Sequence, residues 1–221
     1  MKSKLGSILI SLAVAFGLWL YVVTTVSTEQ ERSFSNVQVM LEGESILRER
    51  NLMIISDTDF AVRVTLKGSR QDLNNLNSSN LTLISNLSGI YDPGEYRLGF
   101  SVGYPGNIPS GAVTVMNKEP SYVKVVVAEK ISRNIPVLVE YEGNAADGFI
   151  VDKVNAVLEQ EYVTITGPRE TVEAIDHAYI KVDCAESTQT IMESYRFELR
   201  DAESQPVDAA MITTNTEQIR V

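Results

Sequence analysis

One cysteine and one histidine are all that 221 residues contain of the two side chains most used for metal binding and nucleophilic chemistry. Cys184 alone excludes an intramolecular disulfide framework. In an exported protein, that fits compartments that do not rely on disulfides, as in many Gram-positive bacteria. The residue itself reads as a small buried apolar side chain in or beside a strand. His177 reads as an exposed loop residue after a short helix rather than a ligand or general base, and no Cys/His cluster has zinc spacing. No G-x-x-x-x-G-K-[ST] or G-x-S-x-G string occurs. Positive charge is also scarce, with 19 Lys and Arg against 29 Asp and Glu for a net charge of -10. Lys2 and Lys4 are the only charges before Glu29, so the remainder is more acidic still. Nucleic acid is therefore not expected as a partner, because binding it needs a concentrated positive surface. The carboxylates Glu140, Glu142, Glu159 and Glu161 read as solvated faces of strands rather than a hydrolytic pair. No catalytic, cofactor-binding or metal residue can be nominated, and neither an enzyme nor a small-molecule substrate is expected.

What is present begins with one long apolar run. Leu5 to Val26 carries no charge, and as a helix it would extend about 33 Å at about 1.5 Å per residue, enough for a bilayer core. Lys2 and Lys4 precede the run and Glu29 and Glu31 follow it, which puts the N-terminus in the cytoplasm and the rest outside the cell membrane, a single-pass topology. Trp19 and Tyr21 lie near the outer end, where amphipathic rings favour the headgroup zone. A cleaved signal peptide would have a shorter apolar core and a better cleavage site than the residues around Ser27. Gly6, Ser11, Ala13 and Gly17 give the helix small faces against which another membrane helix could pack. With Trp19 and Tyr21 they are the residues expected to serve as anchor and possible partner contact.

The remainder repeats itself. Val64 to Phe100 and Val163 to Leu199 superimpose without a gap at a spacing of 99 residues. Identities include Val64/Val163, Gly68/Gly167, Arg70/Arg169, Tyr96/Tyr195 and Arg97/Arg196. Apolar matches run through Leu66/Ile165, Leu73/Val172, Leu76/Ile175, Leu81/Ile180 and Leu83/Val182. The match extends outward, with Val37-x-Val39-x-Leu41-x-Gly43 against Val137-x-Val139-x-Tyr141-x-Gly143, and Val123-x-Val125 against Ile219-x-Val221. Each copy is about 90 to 100 residues, long enough for its own small core.

Alternation with a period of two, as in Val62, Val64 and Leu66, predicts half-buried strands. One helical turn interrupts it. Gly167-Pro168-Arg169-Glu170 supplies a flexible residue, a proline suited to the first helical position and an acidic first turn, after which Val172 and Ile175 face the core. Ser69, Asp72, Leu73 and Leu76 fill the same places in the first copy. The repeated arginines and tyrosines point to structural use, a guanidinium pairing with a carboxylate or covering a tyrosine ring. Glu129 to Asn134 joins the copies without a Gly or Pro run, which favours a stacked pair over beads on a string.

In order, the run ending in Leu18-Trp19-Leu20-Tyr21-Val22 and the two strand-glycine segments, Val62-Arg63-Val64-Thr65-Leu66-Lys67-Gly68 and Val163-Thr164-Ile165-Thr166-Gly167-Pro168, resemble the YbbR-domain family. The likeness is to CdaR-like regulators of the membrane diadenylate cyclase, and it covers essentially the whole chain. The expected fold is mainly β (β-rich α+β), with an N-terminal transmembrane helix and two tandem YbbR-like modules, each having several strands and one short helix. The expected segments are a cytoplasmic N-terminus and anchor over 1–28, a first module over 34–129 and a second over 131–221. The resemblance implies an extracytoplasmic protein that binds and modulates a membrane diadenylate cyclase, and so cyclic-di-AMP synthesis. The alternative is a non-enzymatic cell-envelope scaffold or adhesion protein tethered by its helix.

Overall fold

The computed structural model describes residues 2–25, 29–152 and 156–221. Met1, Val26 at the far end of the expected anchor, and Ser27 and Thr28 beside the weak cleavage site lie outside the described residues. The chain opens with helix α1 (Lys2–Thr25) and is then mainly β. The first copy contributes β1 (Gln30–Glu42), α2 (Glu44–Glu49), β2 (Leu52–Ile54), β3 (Ala61–Gly68), α3 (Arg70–Asn74), β4 (Thr82–Asn86), β5 (Gly94–Leu98), β6 (Ser101–Gly103) and β7 (Val113–Glu119). A long strand β8 (Val123–Glu142) leads into β9 (Tyr162–Pro168), α4 (Arg169–Ala174), β10 (His177–Asp183), β11 (Ser194–Arg196), β12 (Glu198–Arg200), β13 (Thr213–Thr214) and β14 (Gln218–Arg220).

The chain divides into two compact units. One takes the chain up to Glu42 with Thr58–Asn86 and Arg97–Lys124, and the other takes Gly43–Asp57, Leu87–Tyr96 and Val125–Val221. The first unit holds a five-stranded sheet in the order β6-β4-β1-β3-β7. The second holds a sheet with the main path β12-β10-β8-β9-β13, to which β2 and β5 add on β8, and a separate pair β11-β14. The main paths match element for element. β1 is antiparallel to β3 and parallel to β4, as β8 is antiparallel to β9 and parallel to β10. The sequence repeat is thus a repeat of topology.

The apolar positions matched between the copies are the ones buried. Val62, Val64, Leu66, Leu73, Leu76, Leu81 and Leu83 are all buried, as are Val163, Ile165, Val172, Ile175, Ile180 and Val182. One irregularity shows how tertiary packing bends the period-two rule. Phe34 and Val37 are an odd number of residues apart and would point to opposite faces of a regular strand. A register shift between them, with Asn36 left-handed at φ 58°, turns both inward. The joint expected from Glu129 to Asn134 lies inside β8, whose side chains alternate in burial at both ends.

The helical turns fall where the spacing puts them, with one difference and one addition. α3 starts at Ser69, whose hydroxyl accepts the Asp72 N–H at 3.1 Å. Pro168 is the N-cap of α4 rather than its first residue, in extended conformation at ψ 136°. The first copy has a second helix, α2, where one short helix per module is expected. Gly43 at φ 98° turns the chain out of β1, and Leu47 anchors the helix by burial. Six residues are too few for a helical period to show in the sequence. Among the described residues no helix is long and apolar enough to cross a membrane; α1 is present as a helix over Lys2–Thr25.

Candidate functional site

The nominated residues of α1 do not form one site. Gly6, Ala13 and Gly17, seven and four residues apart, share a face at about 100° per residue, whereas Ser11 and Trp19 lie on the other side. Nothing lies within 4 Å of a side chain built on Gly6 or Gly17, so that face is open. The Ser11 hydroxyl turns back to donate to the Ile8 carbonyl at 2.9 Å, a local bond that removes it as a donor to a neighbour. Trp19 packs on Phe16 with ring centroids 5.7 Å apart, leaving both rings more than half exposed, and Tyr21 is exposed as well.

Several of the repeated polar residues do structural work. Arg169 donates to both oxygens of Glu129 at 2.7 Å and to Glu173 at 2.8 Å, tying α4 to β8. These bonds hold the Glu129 carboxyl below the usual range and raise the Arg169 guanidinium. Arg97 covers the Tyr122 ring at 5.2 Å. Tyr96 donates to the Asp92 carbonyl at 2.7 Å, and the Tyr195 hydroxyl reaches the Glu193 carboxylate at 3.4 Å.

The reading of His177 is corrected by the structure. It is buried as the first residue of β10, 4% exposed, because the parallel strand begins one residue after Asp176 with no loop between. Its Nδ1 lies 3.0 Å from the exposed Asp176 carboxylate. Cys184 is buried beside the end of β10, as expected. Its counterpart Ser85 is also buried and donates to the Gly99 carbonyl at 3.1 Å. Glu140, Glu142, Glu159 and Glu161 are exposed; Glu140 accepts from Tyr179 and Glu142 pairs with Lys181 at 2.7 Å. Among the described residues no three His, Cys, Asp or Glu side chains gather where they could hold a metal.

The feature that sequence reasoning missed is a cleft of about 560 Å³ in the second unit. Tyr141, Val182 and Cys184 form its floor on the sheet, Phe149, Val151 and Val157 come from the segment after Gly143, and Ile191 and Met192 come from the loop before β11. Burial pushes the Tyr141 phenol up, so it stays neutral and adds to the apolar floor. The rim is solvent-exposed, with Ile150 at 89%, Val157 at 80% and Met192 at 68%. Phe149-Ile150-Val151 was the available signal: three consecutive apolar residues in a loop, matching neither structural period.

A family model described as YbbR-like protein matches the chain twice, over residues 44–127 and 135–220. The chain belongs to the YbbR-like family. Each YbbR-like segment contains one copy of the strand, glycine and short helix, ending at Gly68 and Gly167 before α3 and α4. The glycines answer a close approach: a Cβ on Gly68 would lie 2.9 Å from the Ala112 carbonyl oxygen, and one on Gly167 would lie 3.0 Å from that of Met211. Among solved structures, a YbbR-like protein of Streptococcus pneumoniae TIGR4 is 16% identical, covering 87% of this chain and 92% of its own, with a TM-score of 0.42. A YbbR family protein of Desulfitobacterium hafniense DCB-2 is 20% identical over 45% of this chain and 96% of its own, with a TM-score of 0.32. A Streptococcus thermophilus structure is 24% identical over 41% and 79%, with a TM-score of 0.29. No curated protein matches the chain.

Proposed function

We propose that this YbbR-like chain is a membrane-anchored, non-enzymatic regulator that binds a membrane diadenylate cyclase and modulates cyclic-di-AMP synthesis from the extracytoplasmic side. The observation that carries the reading is α1, where Ile8, Ile10, Leu12, Val14, Phe16, Leu18 and Leu20 are all about half or more exposed, on every side of the helix. An apolar surface of that kind in water is unfavourable and calls for lipid or other apolar helices as its surroundings. The charges at either end of the run favour an inside N-terminus. The open face of Gly6, Ala13 and Gly17 suits close approach of a partner helix. The identity of that partner as a diadenylate cyclase rests on the resemblance of the whole chain to the CdaR-like regulators.

Modulation requires that the chain bind two states of the enzyme with different affinity. A tagged chain purified from membranes is expected to retain a diadenylate cyclase, and deletion of the gene is expected to change cellular cyclic-di-AMP. Neither effect being seen would reject the reading. Exchange of Leu5 to Val26 for an unrelated membrane helix separates it from a scaffold or adhesion role, since a plain tether tolerates the exchange and a helix-packing regulator loses its partner.

A further inference from the structure

Each copy turns one face of its sheet into its core, and the opposite faces differ in chemistry. In the second unit, Ile135, Val137 and Val139 point from β8 into the core, so Pro136, Leu138 and Glu140, which alternate with them, point to the other side. The register sets Tyr162 of β9 opposite Pro136 and Tyr179 of β10 opposite Leu138. These four side chains form one apolar and aromatic strip across three strands. Tyr162 is 59% exposed and Leu138 49%, and Pro136 is exposed as well. The first copy has polar residues at the matching places. Gln38, between Val37 and Val39, stands for Leu138, and Arg63, just before Val64, stands for Tyr162. Arg63 is tied to its own sheet, donating to the Ser35 hydroxyl at 3.3 Å and lying 4.0 Å from the Glu119 carboxylate.

At one end of the strip the chain supplies its own cation. The Arg200 guanidinium lies 3.5 Å over the Tyr179 ring and donates to Glu198 at 2.9 Å, while the Tyr179 hydroxyl donates to Glu140. Arg50 covers Tyr91 in the same way, at 3.9 Å, elsewhere in this unit. At the other end, no cation among the described residues lies over the Tyr162 ring, and Glu161 beside it is exposed. The carboxylates of this face already hold Lys181, bonded to Glu142 at 2.7 Å and close to Glu140, which keep its ammonium above the usual range. The chain's whole net charge of -10 falls in the second unit, because the Lys and Arg of the first unit balance its Asp and Glu. The strip therefore lies in a field that attracts cations.

We propose that this face of the second copy binds a basic segment of a partner protein, which sets an arginine or lysine over Tyr162 and an aliphatic side chain against Leu138 and Pro136. The cation gains from the face of the ring, and gains more as the contact excludes water. The surrounding carboxylates steer the basic segment to the face and oppose polyanions such as nucleic acid. The first copy lacks the site because Gln38 and Arg63 give it neither the apolar strip nor the open ring. The proposal stands on the second unit alone and depends neither on the membrane anchor nor on the diadenylate cyclase being the partner.

The test uses the full chain in micelles of a zwitterionic detergent and a labelled peptide of about eight residues in which arginine alternates with valine. Its counterpart carries citrulline for arginine, which keeps the planar group and loses the charge. Fluorescence anisotropy is expected to show saturable binding of the arginine peptide that weakens as salt is raised, and binding of the citrulline peptide at least about tenfold weaker. Tyr162→Thr and Leu138→Thr, each an exposed strand position given a β-branched residue, are expected to weaken binding at least about fivefold. Tyr162→Phe, which keeps the ring, is expected to retain it, and Met40→Thr, an exposed apolar position of the first copy, is expected to leave it unchanged. Absence of saturable binding or equal binding of the citrulline peptide would overturn the proposal. So would binding that Tyr162→Thr and Leu138→Thr leave intact, which would assign it to the acidity of the unit at large. If the chain instead self-associates through a contact that Tyr162→Thr abolishes, the face is an interface between two copies and the proposal is wrong.

Discussion

Two corresponding segments, one after Gly43 and one after Gly143, begin with the same left-handed glycine and end differently. In the first, Leu47 and Leu52 are spaced to anchor a helix and a strand, and both are buried. In the second, Asn144-Ala145-Ala146-Asp147-Gly148 has small and turn-forming residues where the first has Glu44-Ser45-Ile46-Leu47-Arg48, so nothing large enough to anchor a helix is present. Its apolar residues come late, at Phe149-Ile150-Val151, and two of the three are exposed. A repeat can thus keep the pairing of its sheet while the segment after its glycine takes a different form in each copy.

That contrast can be broken by mutation. Leu47→Ala should destabilise the chain by about 2–5 kcal/mol, because it empties a fully buried site, whereas Ile150→Ala, at 89% exposed, should change stability by no more than about 0.5 kcal/mol. Urea unfolding of both variants checks the pair, and equal effects would mean that the second segment is as firmly packed as the first. The next largest effect concerns what the copies share. Gly68→Ala should cost about 1–3 kcal/mol because a backbone carbonyl must move. Gly167→Ala should cost a similar amount, since the Met211 carbonyl oxygen at 3.0 Å must give way as well as the end of the Ile212 side chain at 2.5 Å.

Arg50→Met should cost about 1–3 kcal/mol by leaving the Ser88 and Ile90 carbonyls without their donor. It should also make the amides of β2 exchange faster. The smallest effect is electrostatic. Arg169 depresses the Glu129 carboxyl, so their bond adds stability above the unfolded carboxyl value of about 4.3 and loses it as the pH falls through the lower folded value. Arg169→Met should therefore lower Tm slightly at pH 7, and the gap from the parent should close as the pH falls through the lowered Glu129 value. A gap that persists at low pH would assign the effect to packing of the arginine stem instead.

Much of this was legible along the chain. The matched apolar residues of the two copies name the buried core, and Ser69 and the Gly167-Pro168 pair mark where α3 and α4 begin, because burial on a strand face and capping are local and periodic. α2 was not legible, being a single short helix held by one leucine and a turn. Nor was the burial of His177, which depends on where a parallel strand starts, and that is set by its neighbour β8 rather than by the residues around the histidine. The cleft needed both: its apolar loop is visible in the sequence, but its openness is not.

The sequence by itself determined that there are two copies, that each is β-rich with a short helix after its glycine, and that a long uncharged run precedes them, since these follow from spacing and charge. Only the tertiary structure decided that β8 runs unbroken through the joint, that α2 forms after Gly43, and that β2 pairs with β8. Pairing between distant strands, and the presence or absence of a strand to cover a hydrophobic surface, depend on partners far apart in the chain, which no local pattern records.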